Sequence, residues 1–191
     1  MLQEIEIEYK NMLTKDEYKR LLTAFPFPKI AKRHVNYYFE TKDMSLKNYR
    51  SALRIRKKNN VYYLTLKEPH AKGLLETHDQ LTEADVKYWL CNQPTSAPHV
   101  MRRLRAKNID LKNLQYFGQL TTDRRIYINK QNVHLILDYS VYNGTFDYEL
   151  EIEAPNEQIG IYTLKKLLND YSIRKKYTPS KIERFFSTLL S

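Results

Sequence analysis

Glutamates stand at every second position from Glu4 to Glu8 and again from Glu149 to Glu153, and Lys10 closes the first series. Ile5, Ile7 and Tyr9 fill the gaps of the first stretch, and Leu150 and Ile152 those of the second. Such alternation is the period of a β-strand, so each stretch sets its carboxylates on one face. Two further stretches carry the opposite charge. Arg54 and Arg56 alternate with Leu53 and Ile55, and Tyr63, Thr65 and Lys67 oppose Leu64 and Leu66. Carboxylates are hard-oxygen ligands for Mg²⁺ or Mn²⁺, while arginine and lysine clamp phosphate oxygens. Any one of these strands could simply face water at a sheet edge. Four together suggest a closed antiparallel barrel whose interior carries both signs of charge. That is costly to build unless a metal and a polyphosphate fill it.

The elements that position these residues read as follows. Thr14 to Glu17 has the form of a capping box opening a helix with Tyr18, Leu21, Leu22 and Phe25 on one face, ended by Pro26 and Pro28. His34 to Thr41 is β-branched and aromatic, a strand, and Lys42 to Arg50 a polar connection. Ser51–Lys57 and Val61–Lys67 form a hairpin across Lys58-Asn59-Asn60. A strand from Leu74 to Gln80 precedes a helix opened at Thr82–Asp85 and carrying Val86, Trp89 and Leu90. Residues 92–118 show no clear pattern beyond a basic helix candidate around Arg102–Lys107. Thr121–Asn129 and Asn132–Tyr139 read as paired strands, Asp147–Glu153 as a strand, and Asn156–Tyr171 as a helix. A last helix is expected to start at Thr178-Pro179, with Lys181 early and Ile182, Phe185, Phe186 and Leu189 as its apolar stripe. About eight strands and four or five helices without a linker give an α+β fold in one domain.

Composition narrows the partners. The 32 Lys+Arg exceed the 22 Asp+Glu, a formal charge of +10, so an anionic partner is expected: a phosphate-rich small molecule, nucleic acid or a membrane surface. One cysteine, Cys91, excludes an intramolecular disulfide and cysteine-based zinc ligation. No apolar run approaches spanning length, and the chain begins on a charged strand, so a cytoplasmic protein is expected. With 16 tyrosines and four glycines, aromatic strands and turns built without glycine are expected.

EIEYK (Glu6 to Lys10) resembles the ExExK signature of the CYTH superfamily, the triphosphate tunnel metalloenzymes. ALRIR (Ala52 to Arg56), YLTLK (Tyr63 to Lys67), the Arg124-Arg125 doublet, Asp138, ELEIE (Glu149 to Glu153) and TPSK (Thr178 to Lys181) match in order and spacing. NYYFET (Asn36 to Thr41) is similar to the family strand before the basic hairpin, with Glu40 where Asp is more usual. The likeness spans nearly the whole chain and is greatest to the small stand-alone bacterial members.

The resemblance implies a closed eight-stranded antiparallel β-barrel, a tunnel with helices packed on its outer face, as a single domain over residues 1–191. It implies Mg²⁺ or Mn²⁺ and a triphosphate-bearing substrate, from inorganic or thiamine triphosphate to ATP. Glu6 and Glu8 would help hold the metal, with Lys10 on a phosphate, and Arg54, Arg56 and Lys67 would bind the triphosphate chain. Asp138 and two of Glu149, Glu151 and Glu153 would complete an acidic wall; the three glutamates share a face, so neither motif nor parity selects two. Glu6, Glu8, Lys10 and Glu151 form the expected catalytic set. Arg124 shares its face with Ile126 and Ile128, and Arg125 with Asp123 and Tyr127, so Arg125 is expected to point inward. Lys181 matches a family lysine that reaches a tunnel mouth, although a solvated first-turn lysine has the same appearance.

Other polar residues read as structural. Glu76 and His78 belong to a polar wall; His34, His70, His99 and His134 lack mutual metal spacing; Cys91 is expected in the core beside Trp89. The leading activity is metal-dependent triphosphate hydrolysis. A class IV-type adenylate cyclase is the alternative enzyme, and a non-catalytic polyphosphate or RNA binder the alternative of another class. Neither a nucleic-acid nor a membrane partner is expected for the hydrolase, and a homodimer is open to it.

Overall fold

A computed structural model describes residues 3–58 and 60–189, so Asn59 of the Lys58-Asn59-Asn60 turn lies outside the described residues. The first half of the chain forms β1 (Gln3–Glu6), β2 (Glu8–Leu13), α1 (Lys15–Ala24), β3 (Lys32–Thr41), α2 (Ser45–Asn48), β4 (Ala52–Lys58), β5 (Val61–His70) and β6 (Gly73–Leu81). The second half forms α3 (Glu83–Leu90), α4 (Pro98–Arg105), β7 (Leu114–Ile128), β8 (His134–Tyr142), β9 (Thr145–Glu153), α5 (Glu157–Asp170) and α6 (Lys181–Ser187). The expected α+β class stands, with nine strands among the described residues in place of eight. The first acidic stretch is interrupted at Ile7: up to Glu6 it pairs with β6, and from Glu8 it pairs with β9. The unpatterned region 92–118 contains α4, a 3₁₀ turn (Leu111–Asn113) and the first third of β7.

The chain makes two compact units interleaved in sequence: Met1–Glu6 with His34–Leu120, and Ile7–Arg33 with Thr121–Ser191. In the first unit the antiparallel strands run in the order β1-β6-β5-β4-β3, and β3 neighbours β7. Leu53, Ile55, Leu64 and Leu66 form one sheet face, fully buried against Trp89 of α3 and Val100 and Leu104 of α4. Burying each such side chain contributes about 1.5–3 kcal/mol. Phe39 meets the Trp89 ring edge-on at 5.2 Å. Two buried carboxylates hold helices by their amide ends. Glu40 accepts from the backbone N–H groups of Thr41, Leu46 and Lys47 at 2.7–2.9 Å, and Asp79 from those of His99 and Val100 at the start of α4. The basic segment of α4 is partly tied down, since Arg103 and Lys107 both pair with Glu68. Cys91 departs from expectation: it is the C-cap of α3 and exposed, because the helix turns its Trp89 face inward and ends there.

In the second unit the order is β7-β8-β9-β2, each pair antiparallel. Leu13, Leu135, Leu137, Leu150 and Ile152 form the apolar face, covered by Tyr18 and Leu21 of α1 and Leu164 and Leu167 of α5. The Thr14–Glu17 capping box forms as expected. On α5, Gly160 is where Tyr9 packs; a Cβ there would run into the Tyr9 ring and lie 3.3 Å from Ala154 Cβ. Along β2 runs the segment between α5 and α6. Asn11, fully buried, donates to the Arg174 carbonyl and accepts from the Lys176 N–H, and the Met12 N–H donates to Thr178 Oγ1 at 2.9 Å. Thr178 is thereby occupied, and α6 begins later than expected, with Ser180 as N-cap in a box with Glu183 and Lys181 as its first residue. Turns use asparagine where glycine is scarce: Asn60, Asn92, Asn108, Asn132 and Asn143 all take positive φ.

Candidate functional site: two charged sheet faces

In the first unit the register places Arg54 beside Thr65, Lys67 beside Glu76, and Glu76 beside Glu4, all on the face opposite the leucines. Lys67 Nζ lies 2.7 Å from Glu6 Oε2 and also pairs with Glu76, while Arg54 Nη2 stands 3.8 Å from Glu76 Oε1. Arg56 donates through Nε to Asn36 Oδ1 at 2.6 Å. His78 meets Thr65 Oγ1 with Nδ1 at 2.9 Å and lies 3.3 Å from Glu4 and 3.5 Å from Glu76 with Nε2. Burial works against the Glu76 charge, but Arg54 and Lys67 override it and bring its pKa down to about 2. The buried Arg54 Nε has no hydrogen-bond partner among the described residues.

The second unit carries a denser cluster. Arg124 forks onto Asp138, Nε to Oδ1 at 2.8 Å and Nη2 to Oδ2 at 2.6 Å, and reaches Glu151 Oε2 at 2.5 Å. Lys181 Nζ lies 2.8 Å from Asp138, 2.9 Å from Glu149 and 2.6 Å from Glu151. One helical turn on, Arg184 holds Asp147 at 2.7 Å and Glu149 at 2.5 Å, and Tyr142 donates to Asp147. Lys10 pairs with Glu8 at 2.8 Å. For the Lys10 ammonium burial is the largest influence and lowers its pKa, yet Glu8, Glu151 and Glu149 together hold it above the ordinary value. Asp138 and Glu151 are likewise buried, and the cations facing them hold both below the carboxylate range. Glu149 goes the other way: burial and the neighbouring Glu151 charge outweigh Lys181 and Arg184 and push it up. Its Oε1 is buried with no hydrogen-bond partner among the described residues.

The structure separates what parity could not. Glu149 and Glu151 are the buried wall pair, whereas Glu153, nearer the strand end, sits with His134 at 3.2 Å. The expectation for the arginine doublet is corrected. Arg124 faces the carboxylates, and Arg125 lies on the helix-covered face, donating to Tyr18 Oη at 3.0 Å and to the Lys29 carbonyl. Ile126 and Ile128, on the face of Arg124, are 39% and 53% exposed on the charged side, while Tyr127 packs with Phe25 and Phe27. Glu76, Arg124 and Arg184 were not in the expected set. Glu76 is in register with Lys67, which the hairpin pattern could have shown; Arg184 had no signal beyond its place one turn after Lys181.

The CYTH domain family profile matches residues 4–186. The chain belongs to the CYTH domain family. It is 42% identical over 187 residues to "Putative triphosphatase YjbK" of Bacillus subtilis (strain 168), covering 97% of this chain and 96% of that one. Among CYTH-like solved structures, the Bacillus halodurans protein bh2851, described as a "putative adenylate cyclase", is 39% identical with a TM-score of 0.92, over 97% of this chain and all of that one. HpAC1 from Hippeastrum, described as a "putative adenylyl cyclase" with a dominant triphosphatase activity, is 23% identical with a TM-score of 0.76, over 96% of both chains, and shows the shared fold. Among the described residues no helix is long and apolar enough to cross a membrane.

Proposed function

We propose that this CYTH protein is a metal-dependent hydrolase of small triphosphates, acting as a single functional domain. The reading is carried by two of the buried polar atoms without a hydrogen-bond partner among the described residues, a donor at Arg54 Nε in the first unit and a carboxylate acceptor at Glu149 Oε1 in the second. Buried polar groups are ordinarily paired, so each is suited to a ligand, an anion for the first and a cation for the second. The donor chemistry of the second cluster fits a hard divalent ion, Mg²⁺ or Mn²⁺. Asp138, Glu149 and Glu151 with Glu8 would hold it, and it would supply charge neutralisation at the phosphate oxygens and at the attacking water.

The chain's own residues do the rest. Arg54, Arg56, Lys67 and Lys10 bind the triphosphate oxygens, and Glu6 and Glu76 hold Lys67 in place for that role. Arg124 keeps Asp138 and Glu151 ionised and aligned. Water attacks the terminal phosphorus in line; a P–O bond to water forms as the bridging P–O bond breaks, giving orthophosphate and the diphosphate. A carboxylate of the wall orients the water and takes its proton. The name of YjbK and the triphosphatase activity described for HpAC1 agree with this reading. The description of bh2851 favours a second: cyclisation of ATP by its own ribose hydroxyl, with pyrophosphate leaving.

The test is phosphate release from inorganic triphosphate with Mg²⁺, with Mn²⁺ and with EDTA, beside an ATP reaction examined for cyclic AMP. Release that needs the metal and is faster on triphosphate than on ATP is expected. Cyclic AMP as the main product would establish the cyclase instead, and no turnover of either substrate would leave only a binding protein.

A further inference from the structure

Three carboxylates of the second unit converge on one ammonium. Lys181 is 8% exposed, and its Nζ lies within 3 Å of Asp138, Glu149 and Glu151. The ammonium donates to Glu149 and Glu151, and Asp138 Oδ2 completes the ring as an ion pair at 2.8 Å. Glu149 Oε1 is left over, with Oε2 of the same group shared between Lys181 and Arg184. The arrangement is a cation site already occupied by a compact point charge of the protein's own, with one ligand oxygen to spare. The helix that delivers the charge is held independently of it. Ser180 and Glu183 cap α6, Arg184 anchors it to Asp147 and the Pro179 carbonyl, and Phe185 is fully buried. Lys181 stands at the first position of α6 on a flexible four-carbon stem, so its ammonium can withdraw without unseating the helix.

We propose that Lys181 is a resident counter-cation: it neutralises Asp138, Glu149 and Glu151 in the metal-free protein and is displaced when a divalent ion enters. Ammonium and metal then compete for the same oxygens, and the lysine is freed toward the substrate phosphates only once the metal is in place. The inference rests on the proposed function solely for the identity of the carboxylates that hold the ion. It explains why a lysine is buried among the carboxylates rather than merely near them: Arg124 is shared between Asp138 and Glu151 and Arg184 between Asp147 and Glu149, and without Lys181 the buried cluster would hold more negative than positive charge.

The experiment is a calorimetric titration of Mn²⁺ alone into the full chain, into Lys181→Gln and into Lys166→Gln, an exposed control on α5 paired with Asp170. Lys181→Gln is expected to bind Mn²⁺ about tenfold more tightly or better, since loss of a buried ion-pair partner is a large effect, with Lys166→Gln unchanged. Equal or weaker affinity in Lys181→Gln overturns the proposal. Should that variant fail to fold, reductive methylation of the unaltered protein decides. Lys181 is expected to be protected without metal and to become reactive at saturating Mn²⁺; unchanged protection overturns the proposal. Triphosphate hydrolysis is scored separately. Turnover with no competition sinks only the counter-cation, and competition without turnover sinks only the hydrolase reading.

Discussion

Replacing Arg124 and Arg125 one at a time by Met separates two neighbours that sequence treats almost alike. Arg124 has 13% of its side chain exposed, forks onto Asp138 and reaches Glu151, and both of those carboxylates are buried. Removing it leaves two ionised groups without their main partner, although Lys181 still faces both. A broken buried pair typically costs 3–5 kcal/mol, and the remaining lysine puts the expected loss near the lower end, about 3 kcal/mol. Arg125 supplies one hydrogen bond to Tyr18 and a longer one to the Lys29 carbonyl, so its loss should cost only about 0.5–1.5 kcal/mol. The same geometry separates the functional effects. Arg124→Met should lower turnover about 10–100-fold, the scale for groups that orient metal-binding carboxylates, while Arg125→Met leaves it near the original level. Urea unfolding gives the stabilities, and phosphate release the turnover. Arg124→Lys keeps the charge and loses the fork, so it should recover stability more than turnover. The reasoning fails if Arg125→Met is the variant that loses turnover, or if Arg124→Met costs less than about 1 kcal/mol.

Two other predictions follow from the packing and the charges. Gly160→Ala places a methyl against the Tyr9 ring and should destabilise by about 1–3 kcal/mol in urea unfolding despite alanine's better helix propensity; the double variant with Tyr9→Leu should recover much of the loss, and a stabilised single variant would contradict the packing. Glu76 has a folded pKa of about 2 against an ordinary value of 4.5, so as pH falls the unfolded chain takes up the proton first. Its contribution, on the order of 3 kcal/mol, is complete above the unfolded value and lost as pH drops through the folded one. The stability gap between the unaltered protein and Glu76→Gln should therefore close between about pH 4.5 and pH 2, and a gap independent of pH would show that Arg54 and Lys67 do not hold the charge.

The alternation of Ala52–Arg56, Tyr63–Lys67 and Glu149–Glu153 determined the strands and which residues share a face, because side chains in a strand alternate whatever surrounds them, whereas Glu4–Lys10 alternates as one strand and forms two, broken at Ile7. The alternation also pointed to the family, whose profile matches residues 4–186. Capping boxes at Thr14 and Thr82 were legible for the same local reason: the bonds span three residues. What only tertiary structure decided is which face meets the helices and what lies opposite a given position. For Arg124-Arg125, parity grouped Arg124 with Ile126 and Ile128, and it is α1 that covers the Tyr127 face and leaves the isoleucines beside the carboxylates. Among Glu149, Glu151 and Glu153 the choice belongs to α6, whose Lys181 and Arg184 reach the first two and whose start is displaced to Ser180 because Thr178 is taken by the Met12 amide. Pairings such as Lys67 with Glu6 and Lys181 with Asp138 join residues far apart in sequence, and chain folding alone brings their charges within reach of one another.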